Sequence, residues 1–339
     1  MTAIQTSMRD IYARLKAVGL NAKFVRQCVL PEWWDDKLVK EPGMRTSVEL
    51  ILARHLGIPP SVLSDPNQPL ELPPCSVTRF RTTRIPGRDR HEALVRVVSR
   101  AAELAARSFP AATPDIPALP ANIRTEILDG GHRWVGLREM VDWCWSHGIL
   151  VLRLARRPDG AGKVDGMALR AGGRPVIFVA NPRESPAWLL FTVAHELGHI
   201  VLGHVTGPDS VVVDESLRND DTQMQEQEAN LFASRVLDPT NIGRRFSPPR
   251  QKNPPTLAGL ASEVGCEAQV DPGYVLLQYG WRTGQYAVAQ AAIDRLPRIS
   301  SAPEIIRSAA VRHLISGELC ADDQDFLFAM TGIEPMIAD

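Results

Sequence analysis

The stretch FTVAHELGHIVLGH, residues 191–204, places three histidines and a glutamate in an otherwise apolar or small segment. Within it, His195, Glu196 and His199 match the pattern H-E-x-x-H. On a helix, residues four apart lie on one face, so two imidazoles with this spacing can bind one zinc ion. The intervening Glu196 is then the expected general base of a hydrolytic reaction. Because unpaired polar groups are costly in apolar surroundings, the pattern predicts a metal centre on a buried helix.

A catalytic zinc ion usually has three protein ligands and leaves one position for water. The segment QMQEQEANLFASRVLDP, residues 223–239, predicts a second helix that offers Glu226 and Glu228. Being two residues apart, these carboxylates point in different directions, so only one is expected to face the metal. We choose Glu226, because Asn230 follows it by one turn and could orient a ligating histidine. Glu228 is the alternative ligand, and whichever residue is not the ligand is expected to be a solvated surface carboxylate.

His204 follows His199 by five residues, which turns it about 140° away from the ligand face of a continuous helix. We therefore expect His204 to form a hydrogen bond near the site or to cap the helix rather than to bind metal. The group that stabilises the oxyanion stays open among five residues, each of them more often structural: Tyr274, Tyr279, Tyr286, Arg235 and His204.

The composition, 44% apolar and 23% charged over 339 residues, is typical of an ordinary globular protein long enough for two domains. The apolar runs are shorter than the roughly 18 residues of a membrane span, and the N-terminus lacks the pattern of a signal peptide. We therefore expect a cytoplasmic protein without membrane contact. Five cysteines without close pairs argue against disulfides and against a CxxC zinc knuckle, and predict buried, reduced thiols.

The net charge of −1 gives no overall signature of nucleic-acid binding, but the charge is unevenly distributed. Residues 1–108 contain 17 basic and 11 acidic side chains, a net of +6. Many of the basic ones cluster: Arg79, Arg81, Arg84, Arg88, Arg90, Arg96, Arg100 and Arg107. The simpler interpretation of this cluster is a solvated helix face and linker, and the alternative is weak, salt-sensitive DNA binding through residues 1–109.

The order of predicted elements divides the chain into four parts. Residues 1–109 predict a helical domain compatible with a helix-turn-helix, and the Pro-rich residues 110–120 predict a linker. Residues 121–245 contain three predicted strands, the two predicted helices that carry the candidate ligands, and further predicted helices. This combination predicts an α+β domain. Residues 246–339 are mostly helical. A peptide substrate could pair with the expected free edge of the strand at 166–170.

Two segments, RPVIFVANPRESPAWLLFTVAHELGHIVLGH and EQEANLFASRVLDP, resemble the ImmA/IrrE family of bacterial zinc metallopeptidases. That family has HELGH followed by a Glu-x-Glu-Ala-Asn/Asp-x-Phe-Ala helix, and the resemblance covers roughly residues 120–240, with a looser similarity over 256–284. It implies a small zincin-like domain with Zn²⁺ on His195, His199 and Glu226, and with Glu196 as the catalytic base.

The resemblance also implies a function, because members of that family cleave helix-turn-helix repressors. The leading hypothesis is a zinc-dependent endopeptidase that cleaves a regulatory protein of this kind in a stress, mobile-element or defence response. One rival is a DNA-binding transcriptional regulator whose peptidase-like domain acts as a sensor or interaction module. Another is a toxin–antitoxin component. An intact Glu196 favours the enzyme, since a domain kept only for binding does not need a general base.

Overall fold

The computed structural model describes residues 7–72, 88–110, 115–159, 161, 164–205, 211–213, 220–248, 253–297 and 300–334. Several predicted features lie outside the described residues: Cys75, Arg79, Arg81, Arg84, and residues 111–114 of the expected linker. The side chains of Arg88 and Arg90 lie outside them as well.

The N-terminal part is helical, as its hydrophobic spacing predicts. It contains α1 (Met8–Ala17), α2 (Ala22–Phe24), a π-helical turn (Val25–Val29), a 3-10 helix (Asp36–Lys40), α3 (Pro42–Leu56), α4 (Pro60–Ser64) and α5 (Arg88–Arg107). Ser7 and Asp10 form a capping box at the start of α1. Helix α3 ends at Gly57, whose φ of 69° is a left-handed conformation that favours glycine.

Four short strands form one sheet: β1 (Leu150–Arg153), β2 (Gly166–Ala171), β3 (Arg174–Val179) and β4 (Val211–Val213). Their order is β1-β3-β2-β4, with β1 parallel to β3 and the other pairs antiparallel. Gly172 and Gly173 connect β2 to β3 with φ of 57° and 82°, as a tight hairpin turn requires. The two glycines therefore form the turn of a β2–β3 hairpin.

The prediction that β2 has a free edge is wrong. Strand β4 pairs with it in the register Met167–Val213, Ala168–Val212 and Leu169–Val211, and β3 occupies its other edge. The sequence did not reveal β4 because three valines are too few to show a strand periodicity. A peptide can therefore add to β2 only by displacing one of these neighbours.

Two helices precede the sheet, α6 (Pro120–Asp129) and α7 (Leu137–Ser146). The two helices with the candidate ligands are α8 (Pro186–Val201) and α9 (Asp220–Leu237). The rest of the described chain is helical: α10 (Ile242–Arg245), α11 (Pro254–Ala268), α12 (Pro272–Thr283), α13 (Tyr286–Ile293), α14 (Ala302–His313), a 3-10 turn (Ser316–Glu318) and α15 (Ala321–Thr331). The molecule is thus α+β and mostly helical.

Strands β1, β2 and β3 are buried along nearly their whole length, so helices cover both faces of this part of the sheet. Both α8 and α5 pack against β2 and β3. Helix α15 packs against α5, and buried Asp323 on α15 accepts hydrogen bonds from Arg100 of α5 at 3.0 Å and from His55 of α3 at 3.3 Å. Polar contacts therefore join α15, the last described helix, to α3 and α5 of the N-terminal part. Whether residues 1–109 fold separately stays a prediction.

Among the described residues, no helix is both long enough and apolar enough to cross a bilayer. The four described cysteines are free thiols, as expected. Cys28 and Cys144 are buried, whereas Cys266 and Cys320 are exposed. The prediction that all the thiols are buried is wrong for these two, because one lies on the outer face of α11 and the other is the N-cap of α15.

Candidate metal centre

Helix α8 carries the H-E-x-x-H residues through the interior of the molecule. It begins at Pro186, whose missing N–H costs nothing in the first turn, and its flanking side chains are almost all apolar. His195 is 4% exposed, and Glu196 and His199 are fully buried. Polar groups this deep need partners, and the neighbouring helix α9 supplies several of them.

Helix α9 can approach α8 closely because Gly198 has no side chain. A Cβ atom at this position would lie 3.1 Å from the Cα atom and 3.2 Å from the carbonyl oxygen of Ala229. The backbones of the two helices therefore touch within one turn of the two histidines. This contact carries Glu226, one turn before Ala229, to the histidine side chains.

Three candidate ligands meet between the two helices. The Nε2 atoms of His195 and His199 are 3.1 Å apart. The Glu226 carboxylate reaches both rings, with Oε2 at 3.1 Å from His195 Nε2 and Oε1 at 3.3 Å from His199 Nε2. All three ligand atoms lie within 4.8 Å of one another, and no other metal-binding group of this kind occurs in the described part of the chain.

The surroundings favour the protonation states that bind metal. Burial lowers the pKa of His199, because desolvation disfavours the imidazolium more than the nearby Glu226 stabilises it. Burial alone would raise the pKa of Glu226, but hydrogen bonds from His195 and His199 outweigh it and hold the pKa at about 2. At neutral pH this gives a neutral imidazole beside an ionised carboxylate, the forms in which both side chains act as ligands.

The donor set fits a zinc ion. Two imidazole nitrogens and one carboxylate are a common ligand set of catalytic zinc. A tetrahedral ion with bonds of about 2.0–2.1 Å separates its ligand atoms by about 3.3 Å. The three separations among His195, His199 and Glu226, between 3.1 and 3.3 Å, are close to that value.

The Nδ1 atoms of the two histidines have different partners. His195 Nδ1 lies 3.1 Å from Oδ1 of Asn230, the contact that the helical spacing predicts. His199 Nδ1 lies 2.9 Å from Nδ1 of His204. The expectation that His204 forms a hydrogen bond beside the ligands is thus confirmed.

Glu228, the alternative ligand, contacts the outer side of the site. Its Oε2 lies 3.1 Å from His204 Nε2, and its side chain is 50% exposed. It does not join the group formed by His195, His199 and Glu226. As expected for the glutamate that is not the ligand, Glu228 is an exposed carboxylate on the surface of α9, and the end of α8 also brings His204 within hydrogen-bonding distance.

Glu196 lies outside the ligand group and faces the start of β2. A Cβ atom on Gly166 would be 2.3 Å from Glu196 Oε1 and 2.8 Å from Cγ and Cδ. The carboxyl group therefore occupies the volume that any other residue at position 166 would fill. Sequence reasoning missed Gly166, since its contact with Glu196 is not local and a glycine at a strand end usually indicates only a turn.

An aromatic wall lies beside His195. The ring of Phe191 is 6.1 Å from that of His195, 5.0 Å from that of Trp281 and 6.3 Å from that of Tyr274. Among the oxyanion candidates, Tyr274 and Tyr279 are buried and Tyr286 is 54% exposed. The Tyr274 hydroxyl accepts a hydrogen bond from Gln278, and that of Tyr279 donates one to Gln285.

Comparison with known proteins identifies a family match within the chain. Residues 144–253, about a third of the chain, match the family model Peptidase_M78, the IrrE N-terminal-like domain. This range contains all four strands and both helices of the candidate metal centre. A search of curated proteins found no match. Residues 144–253 are thus similar to the Peptidase_M78 domain of the ImmA/IrrE family.

Proposed function

We propose that this chain is a zinc-dependent endopeptidase, with zinc on His195, His199 and Glu226 and with Glu196 as general base. The family match supports a metallopeptidase-like function. The observation that carries the more specific proposal is the meeting of three ligand atoms within 4.8 Å between two packed helices. We also propose that residues 121–245 form a zincin-like domain, in which α8 is the active-site helix.

When bound, zinc would polarise the scissile carbonyl and lower the pKa of a water molecule to about 7. The protein groups that would hold it are the Nε2 atoms of His195 and His199 and the carboxylate of Glu226. Asn230 and His204 would accept hydrogen bonds from Nδ1 of His195 and His199, respectively, and would so keep both Nε2 lone pairs available for the ion.

Glu196 performs the proton transfers in this scheme. Its carboxylate accepts a proton from the attacking water while the water oxygen bonds to the scissile carbonyl carbon. It then gives this proton to the amide nitrogen as the C–N bond breaks, which releases a neutral amine and restores the carboxylate. The full burial of Glu196 and its contact with the start of β2 keep the carboxyl group in one position.

We further propose that the substrate is a helix-turn-helix repressor in the cytoplasm, because the ImmA/IrrE family that this chain resembles cleaves such proteins. The rival proposal of a DNA-binding regulator receives less support. Of the clustered arginines, Arg96 donates to the carbonyl of Leu56 and Arg100 to Asp323, while Arg107 pairs with Asp323 at 3.7 Å. Side chains with internal partners are less available for phosphate.

The test compares cells that express the wild-type chain with cells that express Glu196→Gln, using mass spectrometry of labelled protein N-termini. Glutamine keeps the shape of the side chain but is not a base at neutral pH, so we expect a folded, zinc-loaded protein that is roughly 10²–10⁴-fold less active. New N-termini that appear only with the wild type should map to helix-turn-helix repressors. A matched control is Glu263→Gln on the outer face of α11, which should cleave like the wild type.

Three outcomes contradict the proposal. Identical N-termini in the wild-type and Glu196→Gln cells remove Glu196 from any cleavage reaction. New N-termini confined to other classes of protein refute the repressor substrate but not the peptidase. Loss of zinc in Glu196→Gln makes this residue a ligand or a structural support.

A further inference from the structure

A chain of hydrogen bonds leads from the candidate metal centre to the surface of the protein. It runs from His199 Nδ1 to His204 Nδ1 at 2.9 Å, and from His204 Nε2 to Glu228 Oε2 at 3.1 Å. We infer that Glu228 and His204 act as positioning residues, which set the tautomer and the ring orientation of His199 and thereby the metal affinity. This inference rests on the proposed zinc site and adds a dependence of that site on a carboxylate that binds no metal.

The atoms that form this series of hydrogen bonds determine which atom donates the proton in each of them. His199 presents Nε2 to His195 and Glu226, so as a ligand it keeps a lone pair there and carries its proton on Nδ1. That proton can only be donated to Nδ1 of His204. The neutral ring of His204 then carries its proton on Nε2 and donates it to the Glu228 carboxylate. A carboxylate at the outer end thus selects the tautomer of His199 that binds metal.

The backbone explains how His204 reaches His199. Helix α8 ends at Val201, and Gly203 adopts a left-handed conformation with φ of 74°. The N–H of His204 bonds to the carbonyl of His199 at 2.9 Å, and the N–H of Gly203 bonds to that of Ile200 at 3.2 Å, which together form a Schellman cap. The cap turns the chain back, so the imidazole of His204 lies beside that of His199, with its side chain 6% exposed.

The two glutamates of α9 thus have separate tasks. Glu226 contacts both Nε2 atoms, whereas Glu228 contacts His204. The partner of His195 is different in kind, because Asn230 offers a neutral amide oxygen. The hydrogen-bond chain of His199 ends in a negative charge, which makes its Nε2 a stronger donor to a metal ion.

The experiment measures the zinc dissociation constant of the full-length protein by competition with a chelator. We expect Glu228→Ala to weaken zinc binding by roughly 10- to 100-fold, as the loss of an orienting partner does at other metal sites. Glu228→Gln should recover most of this loss, because its amide oxygen still accepts the proton from His204. The melting temperature of the metal-free variants should stay near that of the wild type, since the Glu228 side chain is half exposed.

The matched control is a second histidine–glutamate pair on the surface. Glu126 Oε2 lies 3.2 Å from His147 Nε2, and its side chain is 43% exposed, similar to Glu228. This pair is separate from the candidate ligands. Glu126→Ala should therefore leave the zinc dissociation constant within twofold of the wild-type value.

The outcomes separate this inference from the proposed function. A wild-type chain that binds no zinc overturns both. A wild-type chain with one zinc, together with an unchanged dissociation constant in Glu228→Ala, overturns the positioning role and leaves the zinc site in place. Equal losses of zinc affinity in Glu228→Ala and Glu228→Gln overturn the tautomer argument. If Glu226→Gln keeps its zinc while both Glu228 variants lose theirs, Glu228 is a ligand.

Discussion

Replacing Gly166 with alanine should disable Glu196 without removing the metal. The added Cβ would lie 2.3 Å from Glu196 Oε1, while an ordinary contact begins near 3.4 Å. One of the two groups must therefore move by about 1 Å. Strand β2 is held by β3 and β4 on both edges, so we expect the carboxylate to move rather than the backbone.

The expected magnitude follows from this displacement. A misplacement of about 1 Å in a reacting group costs on the order of 10²-fold in rate. The φ of Gly166 is not in the left-handed region, so alanine introduces no backbone strain there. We therefore expect kcat/KM to fall roughly 100-fold on the cleaved repressor, with zinc content and melting temperature near the wild-type values. Gly259→Ala, where a Cβ atom meets open space, is the matched control and should keep full activity.

A double variant makes this test sharper. If Gly166→Ala acts through Glu196, adding it to Glu196→Gln should cause little further loss, because the base is already absent. Wild-type activity in Gly166→Ala would refute the reasoning. A further 100-fold loss in the double variant would also refute it, since Gly166 would then act on something other than Glu196.

Three further predictions concern helix packing, domain structure and DNA. Gly198→Ala pushes a Cβ atom against the Ala229 backbone, so we expect an overpacking cost of about 1–3 kcal/mol, partly offset by about 1 kcal/mol of helix propensity, and weaker zinc binding. Unchanged zinc affinity would show that α9 does not depend on this close approach. Limited proteolysis should cut first within residues 110–120, and resistance there with cuts elsewhere would mean that the N-terminal helices and the rest of the chain form one unit. Any DNA binding should depend on residues 1–109 and weaken steeply as salt rises, and binding that survives deletion of that part would contradict its assignment.

Local patterns in the sequence predict much of the fold. Pro186 and the apolar flank of HELGH predict α8, and the paired glycines at 172–173 predict the β2–β3 hairpin, since turn chemistry and helix starts depend on neighbouring residues. The sequence did not predict strand β4, because this strand is only three residues long and forms by pairing with β2.

The sequence predicts only those site residues whose positions follow from the periodicity of a single helix. His195, Glu196 and His199 follow from a four-residue spacing on one helix. The choice between Glu226 and Glu228 depends on how α9 crosses α8, and that crossing is set by the contact of Gly198 with Ala229. The position of His204 depends on where α8 ends, because the left-handed turn at Gly203 reverses the direction that a continuous helix would give.

The most direct test of the zinc site is anomalous diffraction at the zinc absorption edge from crystals of the wild-type protein. We predict one peak per chain within bonding distance, about 2.0–2.2 Å, of His195 Nε2, His199 Nε2 and the Glu226 carboxylate. Glu196 and Glu228 should lie outside this distance. The absence of a peak, or a peak bonded to Glu228 or His204 in place of Glu226, would contradict the proposed site.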